Sequence, residues 1–371
     1  MPAIDFQNVD ILFGKNGRRR DPAVAKALSL LDGGADRAAI SAQTGVVLGA
    51  AGASLAVKAG EISVLMGLSG SGKSTLLRAA NGLNLVTRGA VKVRHAGGVV
   101  DVATCDAATL RAVRRASVAM VFQQFALLPW RTVRDNVGLG LEFQGLDTAA
   151  RRRVVDEKLA LVGLSEWADR KTDELSGGMQ QRVGLARAFA GDADILLMDE
   201  PFSALDPLIR SRLQDELLSL QTTVKKTILF VSHDLDEALK LGNQISIMQA
   251  GRIVQTGTAQ DIVLRPADDY VAQFVRHMNP LSVLTGADVM RPVADGVDTS
   301  GSPVAKPDTP LSDIVTLCHA AGRPVLIVEG GVTRGVCGEA EIVRALASNS
   351  FPPLCGEGGL SRSDKTGGEV T

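Results

Sequence analysis

Eight consecutive residues, Gly67-Leu-Ser-Gly-Ser-Gly-Lys-Ser74, carry the clearest chemistry in this chain. Their glycines let the backbone curl until successive N–H groups converge on one anion, and a helix starting at the end of the loop adds the positive end of its dipole. Lys73 is placed to reach the outer phosphates of a nucleoside triphosphate, and the Ser74 hydroxyl to ligate Mg²⁺. Such a loop needs a metal-holding carboxylate on a neighbouring strand. Ile195-Leu-Leu-Met-Asp199-Glu200 offers one, as an apolar run that ends in two acids. Asp199 would hold the metal through water, and Glu200 would polarise the attacking water as a general base. A third stretch, Leu175-Ser-Gly-Gly-Met-Gln180, opens a helix with Met179, Val183, Ala186 and Ala190 on one face. Ser176 has two readings there, a plain helix cap or part of a second anion site.

The elements around these residues suit the chemistry. Glu61–Met66 reads as a short buried strand and Thr75–Asn81 as a helix ended by Gly82, the strand–loop–helix setting that a phosphate loop requires. Residues 4–13 read as an edge strand ending at Gly14. An Arg-rich turn and two helical stretches, Pro22–Leu31 and Asp36–Gln43, then form an insertion over about 18–45. From Val57 to about Phe274 strand and helix patterns alternate, which predicts βαβ units and a largely parallel sheet. Residues 125–170 are helical in pattern and read as a helical subdomain, with Arg151–Arg153 on a solvated face.

The texture changes after Pro280, so the first domain is placed at 1–280 and a linker at 281–286. A long loop over 293–310 precedes a helix (Leu311–Ala321), a strand (Pro324–Val328), a Gly330-Gly331 turn, a strand (Val332–Val336) and a helix (Glu339–Ala347). Residues 356–371 are expected to be disordered.

Composition narrows the class. The 371 residues, 45% hydrophobic and 22% charged, leave room for a large α/β domain and a smaller second one. A formal net charge of −1 argues against nucleic acid as a partner. No run approaches the roughly 18–20 apolar residues that cross a bilayer, and Met1–Phe6 lacks a signal-peptide layout. Cys105, Cys318, Cys337 and Cys355 show no CxxC spacing and are expected to be reduced thiols of a cytosolic protein.

Several motifs fall in a telling order: the phosphate loop, Gln123 within Val121-Phe-Gln-Gln124, the Leu175–Gln180 signature, Asp199-Glu200, the Ser203-Ala-Leu-Asp206 turn, and His233 within Val231-Ser-His-Asp234. As an ordered set over roughly residues 4–275 they resemble the ATP-binding cassette (ABC) ATPase family. The resemblance implies an α/β P-loop ATPase with a mainly parallel core sheet, an antiparallel β subdomain and a helical subdomain, using ATP and Mg²⁺. It places Gly67, Leu68, Ser69, Gly70, Ser71, Gly72, Lys73, Ser74 and Thr75 around the nucleotide, and Phe13 on the adenine; a core Phe remains the other reading of Phe13. It gives Gln123 a contact with Mg²⁺ and the attacking water, and His233 a contact with the γ-phosphate. Ser176, Gly177, Gly178 and Gln180 would face ATP held by a second copy in a homodimer, which Asp206 would help to join. His95, His277 and His319 acquire no role.

A free cassette lacking a second cassette, a coiled-coil insertion or membrane spans resembles importer subunits more than soluble ABC ATPases acting on chromosomes or ribosomes. This implies a peripheral protein on the cytoplasmic face of the bacterial inner membrane, bound to permease subunits and served by a periplasmic or extracellular substrate-binding protein. Docking is expected around Phe125–Val133, whose apolar residues could equally be core. The insertion between Gly14 and Val46, Met66–Gly72 and Phe122–Val133 resemble the quaternary-amine importers, which take up glycine betaine, proline betaine or choline. Choline is the first choice among these, and another small solute is the alternative. Residues 287–347, from Ala287-Asp-Val-Met-Arg-Pro292 onward, resemble a single CBS (cystathionine-β-synthase-type) α+β unit, open to a sensing or an assembly role.

Overall fold

The computed structural model describes residues 1–14, 21–276, 281, 283–293 and 300–348, and the chain divides into two units, Met1–Met278 and Asn279–Thr371. Strands β1 (Pro2–Phe13), β2 (Val47–Lys58), β3 (Ile62–Met66), β4 (Arg88–His95), β5 (Gly98–Asp101), β6 (Val118–Val121), β7 (Ile195–Asp199), β8 (Thr227–Val231), β9 (Gln244–Gln249) and β10 (Arg252–Gly257) belong to the first unit. β3, β7 and β8 are buried at every position. Continuous apolar runs of this kind suit strands covered on both faces. They lie in a sheet of order β10-β9-β3-β8-β7-β6, parallel except where β10 turns back on β9 through Ala250 and Gly251.

Alternate strand residues feed two cores. Val64, Met66, Met198, Phe230 and Ile247 join one core. It is completed by α5 (Val133–Val137), α6 (Leu139–Phe143), α7 (Thr148–Leu161), α8 (Gly177–Ala190), α9 (Pro207–Val224) and α10 (Leu235–Leu241). Leu65, Leu197, Leu229 and Met248 join the other, with α3 (Lys73–Ala79) and α4 (Ala107–Ala116). Each fully buried side chain of this size contributes about 1.5–3 kcal/mol, so the ends of β3, β7 and β8 are held firmly where the site lies. The helices expected within 125–170 form and pack on α8, where Val183, Ala186 and Ala190 are buried as the helical spacing requires.

A second sheet, of order β2-β1-β4-β5, is antiparallel throughout. Here the expectation for residues 4–13 is corrected, because β1 is an interior strand. Ile4 pairs with Val57 on one side and Val93 on the other. The apolar pattern of a single strand does not record whether one or both of its edges are paired.

The insertion folds as α1 (Pro22–Asp32) and α2 (Arg37–Thr44), capped by Asp21 and Asp36. Its Arg-rich turn, residues 15–20, lies outside the described residues. Val24, Ala27, Leu31 and Ile40 pack on Leu12, Val46, Leu48 and Ala51. Arg88 on β4 ties it down further, bonding Asp10 of β1 at 2.6 Å and Asp32 of α1 at 2.8 Å. These two carboxylates hold the Arg88 guanidinium firmly in its charged form.

In the second unit β11 (Val304–Ala305), β12 (Val325–Glu329) and β13 (Val332–Cys337) form one sheet with helices Leu311–Ala321 and Glu339–Ser348 beside it. β11 corrects the expected continuous loop over 293–310. Two residues, paired parallel to Leu326 and Ile327, are too few to show alternation. Cys105, Cys318 and Cys337 are unbridged. Cys355, His277 and the tail 356–371 lie outside the described residues.

Candidate functional site

The phosphate loop leaves the carboxyl end of β3 and enters α3 at Lys73. At Gly67 φ is +141°, and a Cβ there would stand 2.2 Å from the Met248 carbonyl oxygen. At Gly72 φ is +106°, and a Cβ would stand 2.3 Å from the Gly49 carbonyl oxygen. Only glycine fits either position. The Lys73 ammonium, almost wholly buried, donates to the carbonyls of Gly67 (2.7 Å) and Leu68 (3.0 Å). Burial lowers its pKa from the ordinary lysine value, partly opposed by Glu200 and Asp199 nearby. The buried Ser71 hydroxyl has no hydrogen-bond partner among the described residues. An unpaired hydroxyl inside a curled, glycine-rich loop beside a buried ammonium suits an anion such as a polyphosphate.

Ser74 and Arg78 lie one turn apart on α3 and share a partner. Ser74 Oγ donates to Asp199 Oδ1 at 2.7 Å, and Arg78 bonds Asp199 Oδ2 through Nε (3.1 Å) and Nη2 (2.8 Å). Asp199 is fully buried, so these contacts compensate a carboxylate withdrawn from bulk solvent. Sequence reasoning missed Arg78; its i+4 spacing from Ser74 was the available signal. Among the described residues no group of three or more His, Cys, Asp or Glu is arranged to hold a metal ion. A hydroxyl, one carboxylate and an amide instead suit Mg²⁺, which binds few protein ligands alongside substrate phosphates. Arg78→Gln should lower ligand-free stability by about 1–3 kcal/mol, less than for a fully buried pair because Arg78 is partly exposed. Urea denaturation reads this, and an unchanged midpoint would remove Arg78 from the site.

Glu200 follows Asp199 and sits in the left-handed region at φ +48°, strain that a non-glycine residue rarely carries. Several contacts hold it there. Its N–H donates to Val231 O, and its carbonyl accepts from Gln181 Nε2 (3.2 Å) and Ser203 Oγ (3.0 Å). Its carboxylate accepts from Gln123 Nε2 at 3.1 Å and meets His233 Nδ1 at 3.3 Å. Gln123, Glu200 and His233, which come from three separate segments, therefore converge on one carboxylate. Gln181, also missed in the sequence, bonds the Ala204 N–H as well, so α8 grips both ends of the turn after Glu200.

Phe13 ends β1 and is 41% exposed, which removes the core reading. A Cβ on Gly49 would stand 2.7 Å from both the Phe13 ring and the Thr75 methyl, so Phe13 borders the end of the phosphate loop. Gly49 escaped notice in the sequence, although a glycine inside a strand marks close approach of this kind. Ser176 caps α8 through the Met179 N–H (3.4 Å), and the Gln180 amide donates to Thr172 O and Leu175 O. Among the described residues no hydrogen bond or ion pair joins Ser176–Gln180 to the phosphate loop of the same chain. Asp206 caps α9 through the Ile209 N–H (3.0 Å).

After Gln123, Phe125 and Ala126 both have positive φ, and Arg187 of α8 donates to their two carbonyls. Trp130 is 70% exposed while Val133 is buried, so this stretch is largely surface. A separate cleft lined by Val154, Lys158, Phe189, Leu217 and Lys226 opens at the amino ends of β7 and β8, opposite the phosphate loop. It has no part in this chemistry, which gathers at the carboxyl ends of the strands. No helix of the described residues is long and apolar enough to cross a membrane.

Residues 50–203 match the family model described as ABC transporter. The chain is 47% identical over 294 residues (79% of this chain, 71% of the relative) to the glycine betaine/proline betaine transport system ATP-binding protein ProV of Escherichia coli (strain K12). It is 46% identical over 306 residues (82% and 74%) to the glycine betaine/carnitine transport ATP-binding protein GbuA of Listeria monocytogenes serotype 1/2a (strain 10403S). Among solved structures it is similar to the ATP-binding cassette MJ0796, a dimer in a post-hydrolysis state bound to ADP and Pi. There the TM-score is 0.57 at 28% identity, over 69% of this chain and 98% of that one.

Proposed function

The chain belongs to the ABC transporter family, and we propose that it is the ATP-hydrolysing subunit of a membrane importer for betaine-class amines. The observation that carries the engine is the convergence of Gln123 and His233 on Glu200, beside a glycine-strained phosphate loop with a buried Lys73. ATP is the substrate, seated on the N–H groups of Gly67–Thr75 with Phe13 against the adenine. The Glu200 carboxylate accepts a proton from water as the water oxygen attacks the γ-phosphorus and the bond to the β-phosphate oxygen breaks. Gln123 and His233 orient that carboxylate and the water, and His233 also meets the γ-phosphate. Lys73 meets the charge on the departing ADP. Mg²⁺, held by Ser74, Gln123 and, through water, Asp199, would neutralise charge on the outer phosphates.

A second copy of the chain completes each site. The dimeric state of MJ0796 supports this, as does a signature segment that, among the described residues, makes no hydrogen bond or ion pair with its own phosphate loop. On this reading Ser176, Gly177, Gly178 and Gln180 face the partner's ATP, and Asp206 lies near the two-fold axis. Closure on ATP and reopening after hydrolysis would drive permeases docked around the exposed Trp130. The subunit is then peripheral on the cytoplasmic face, with a substrate-binding protein across the membrane. The names of the relatives favour a betaine over choline as cargo. The second unit's β11-β12-β13 sheet and flanking helices support a CBS-like α+β module.

The test is uptake of labelled glycine betaine, carnitine and choline by cells with and without the gene for this chain. Loss of glycine betaine uptake on deletion is expected. Unchanged uptake of all three would discard the cargo assignment.

A further inference from the structure

We infer that Arg37, delivered by the α1–α2 insertion, is an additional nucleotide-binding residue that distinguishes ATP from ADP; this rests on the phosphate-loop reading above. The Arg37 guanidinium crosses 33 residues of sequence to donate from Nη1 to the Gly70 carbonyl at 2.6 Å. Gly70 is at the crest of the loop, with φ +77° and open space where a side chain would stand.

Two further observations set this contact apart from an ordinary surface arginine. Arg37 is the first residue of α2, capped by Asp36. A cation there opposes the helix dipole, so helix stability does not explain its presence. Among the described residues no carboxylate pairs with it, and Gly70 O is its hydrogen-bond partner. Its remaining N–H donors are unspent at the edge of a loop built for an anion.

The mounting is rigid. Val24, Ala27, Leu31 and Ile40 anchor the insertion in its own apolar cluster, and the Arg88 bridge to Asp32 and Asp10 fixes α1 to the sheet. The insertion lies between β1, which ends at Phe13, and β2, which begins at Val47. Arg37 pins the peptide at the crest of the loop and adds positive charge beside the outer phosphates, where Lys73 also points. The charge acts on the terminal phosphate, which ADP lacks.

Calorimetric binding of ATP and of ADP, each with Mg²⁺, to the full chain tests this, with melting temperatures recorded in parallel. Charge-assisted contacts of this kind correspond to roughly a tenfold change. Arg37→Ala should weaken ATP about tenfold and ADP less than about threefold. Arg37→Gln keeps a donor for Gly70 and drops the charge; it should show the same split, and it carries the test if the alanine variant does not fold. Wild-type binding of both nucleotides by the glutamine variant, or equal losses for ATP and ADP, would overturn the inference. Failure of the wild-type chain to bind either nucleotide would instead overturn the site reading beneath it.

Discussion

Glu200→Gln slows ATP hydrolysis by about 10²–10⁴-fold, the range expected when a general base is lost, and leaves ATP binding intact. The amide matches the carboxylate in size and can still accept from Gln123, so the strained turn at φ +48° keeps its supports from Val231, Gln181 and Ser203. It cannot take a proton from water. Single-turnover hydrolysis alongside equilibrium binding separates these effects. A variant that turns over near the wild-type rate would mean that Glu200 is not the base, whatever its neighbours.

Lys73→Met has the second large effect, on binding. The methionine fills the buried channel of the lysine stem but brings no charge, and at least two charge-assisted contacts to the phosphates are lost. At about 1.5–3 kcal/mol each, ATP affinity falls by about 10² or more. The pH dependence follows from the sign of the shift. Burial holds the folded pKa of Lys73 below its ordinary value, so the unfolded chain binds the proton more tightly. Lys73 therefore makes the ligand-free fold more stable as pH rises through the window just below the ordinary lysine range. ATP reverses this by favouring the charged ammonium. Nucleotide binding to the wild type should take up protons in that alkaline window, and binding to the methionine variant should not. Equal proton uptake by both would place the titrating group elsewhere.

Much of the fold was legible because its signals are local. The buried runs of β3 and β7, the helix that follows the phosphate loop and the Ser176 cap of α8 lie in neighbouring residues and need no tertiary information. What escaped notice depends on distant contacts. β1 is interior because β2 and β4 pair with both its edges, a fact absent from its own twelve residues. β11 exists through two pairings with β12.

The site divides the same way. Gly67, Lys73, Asp199 and Glu200 stand in contiguous motifs. Gly49 matters through its closeness to Phe13, Thr75 and Gly72, and Gln181 through the turn after Glu200. Arg78 matters through Asp199, 121 positions away, and Arg37 through one carbonyl of the phosphate loop. Among these, Arg78 had a signal in its spacing from Ser74 and Gly49 one in its place inside a strand, whereas Gln181 and Arg37 depend on distant contacts.

The most direct test loads labelled glycine betaine through reconstituted importer vesicles, with ATP hydrolysis and accumulation followed together for the wild-type chain and Glu200→Gln. Both activities in the wild type, and loss of both in the variant at equal incorporation, are the predicted result. Accumulation that persists while hydrolysis is lost would contradict the account, because cargo movement would then not depend on the chemistry at Glu200.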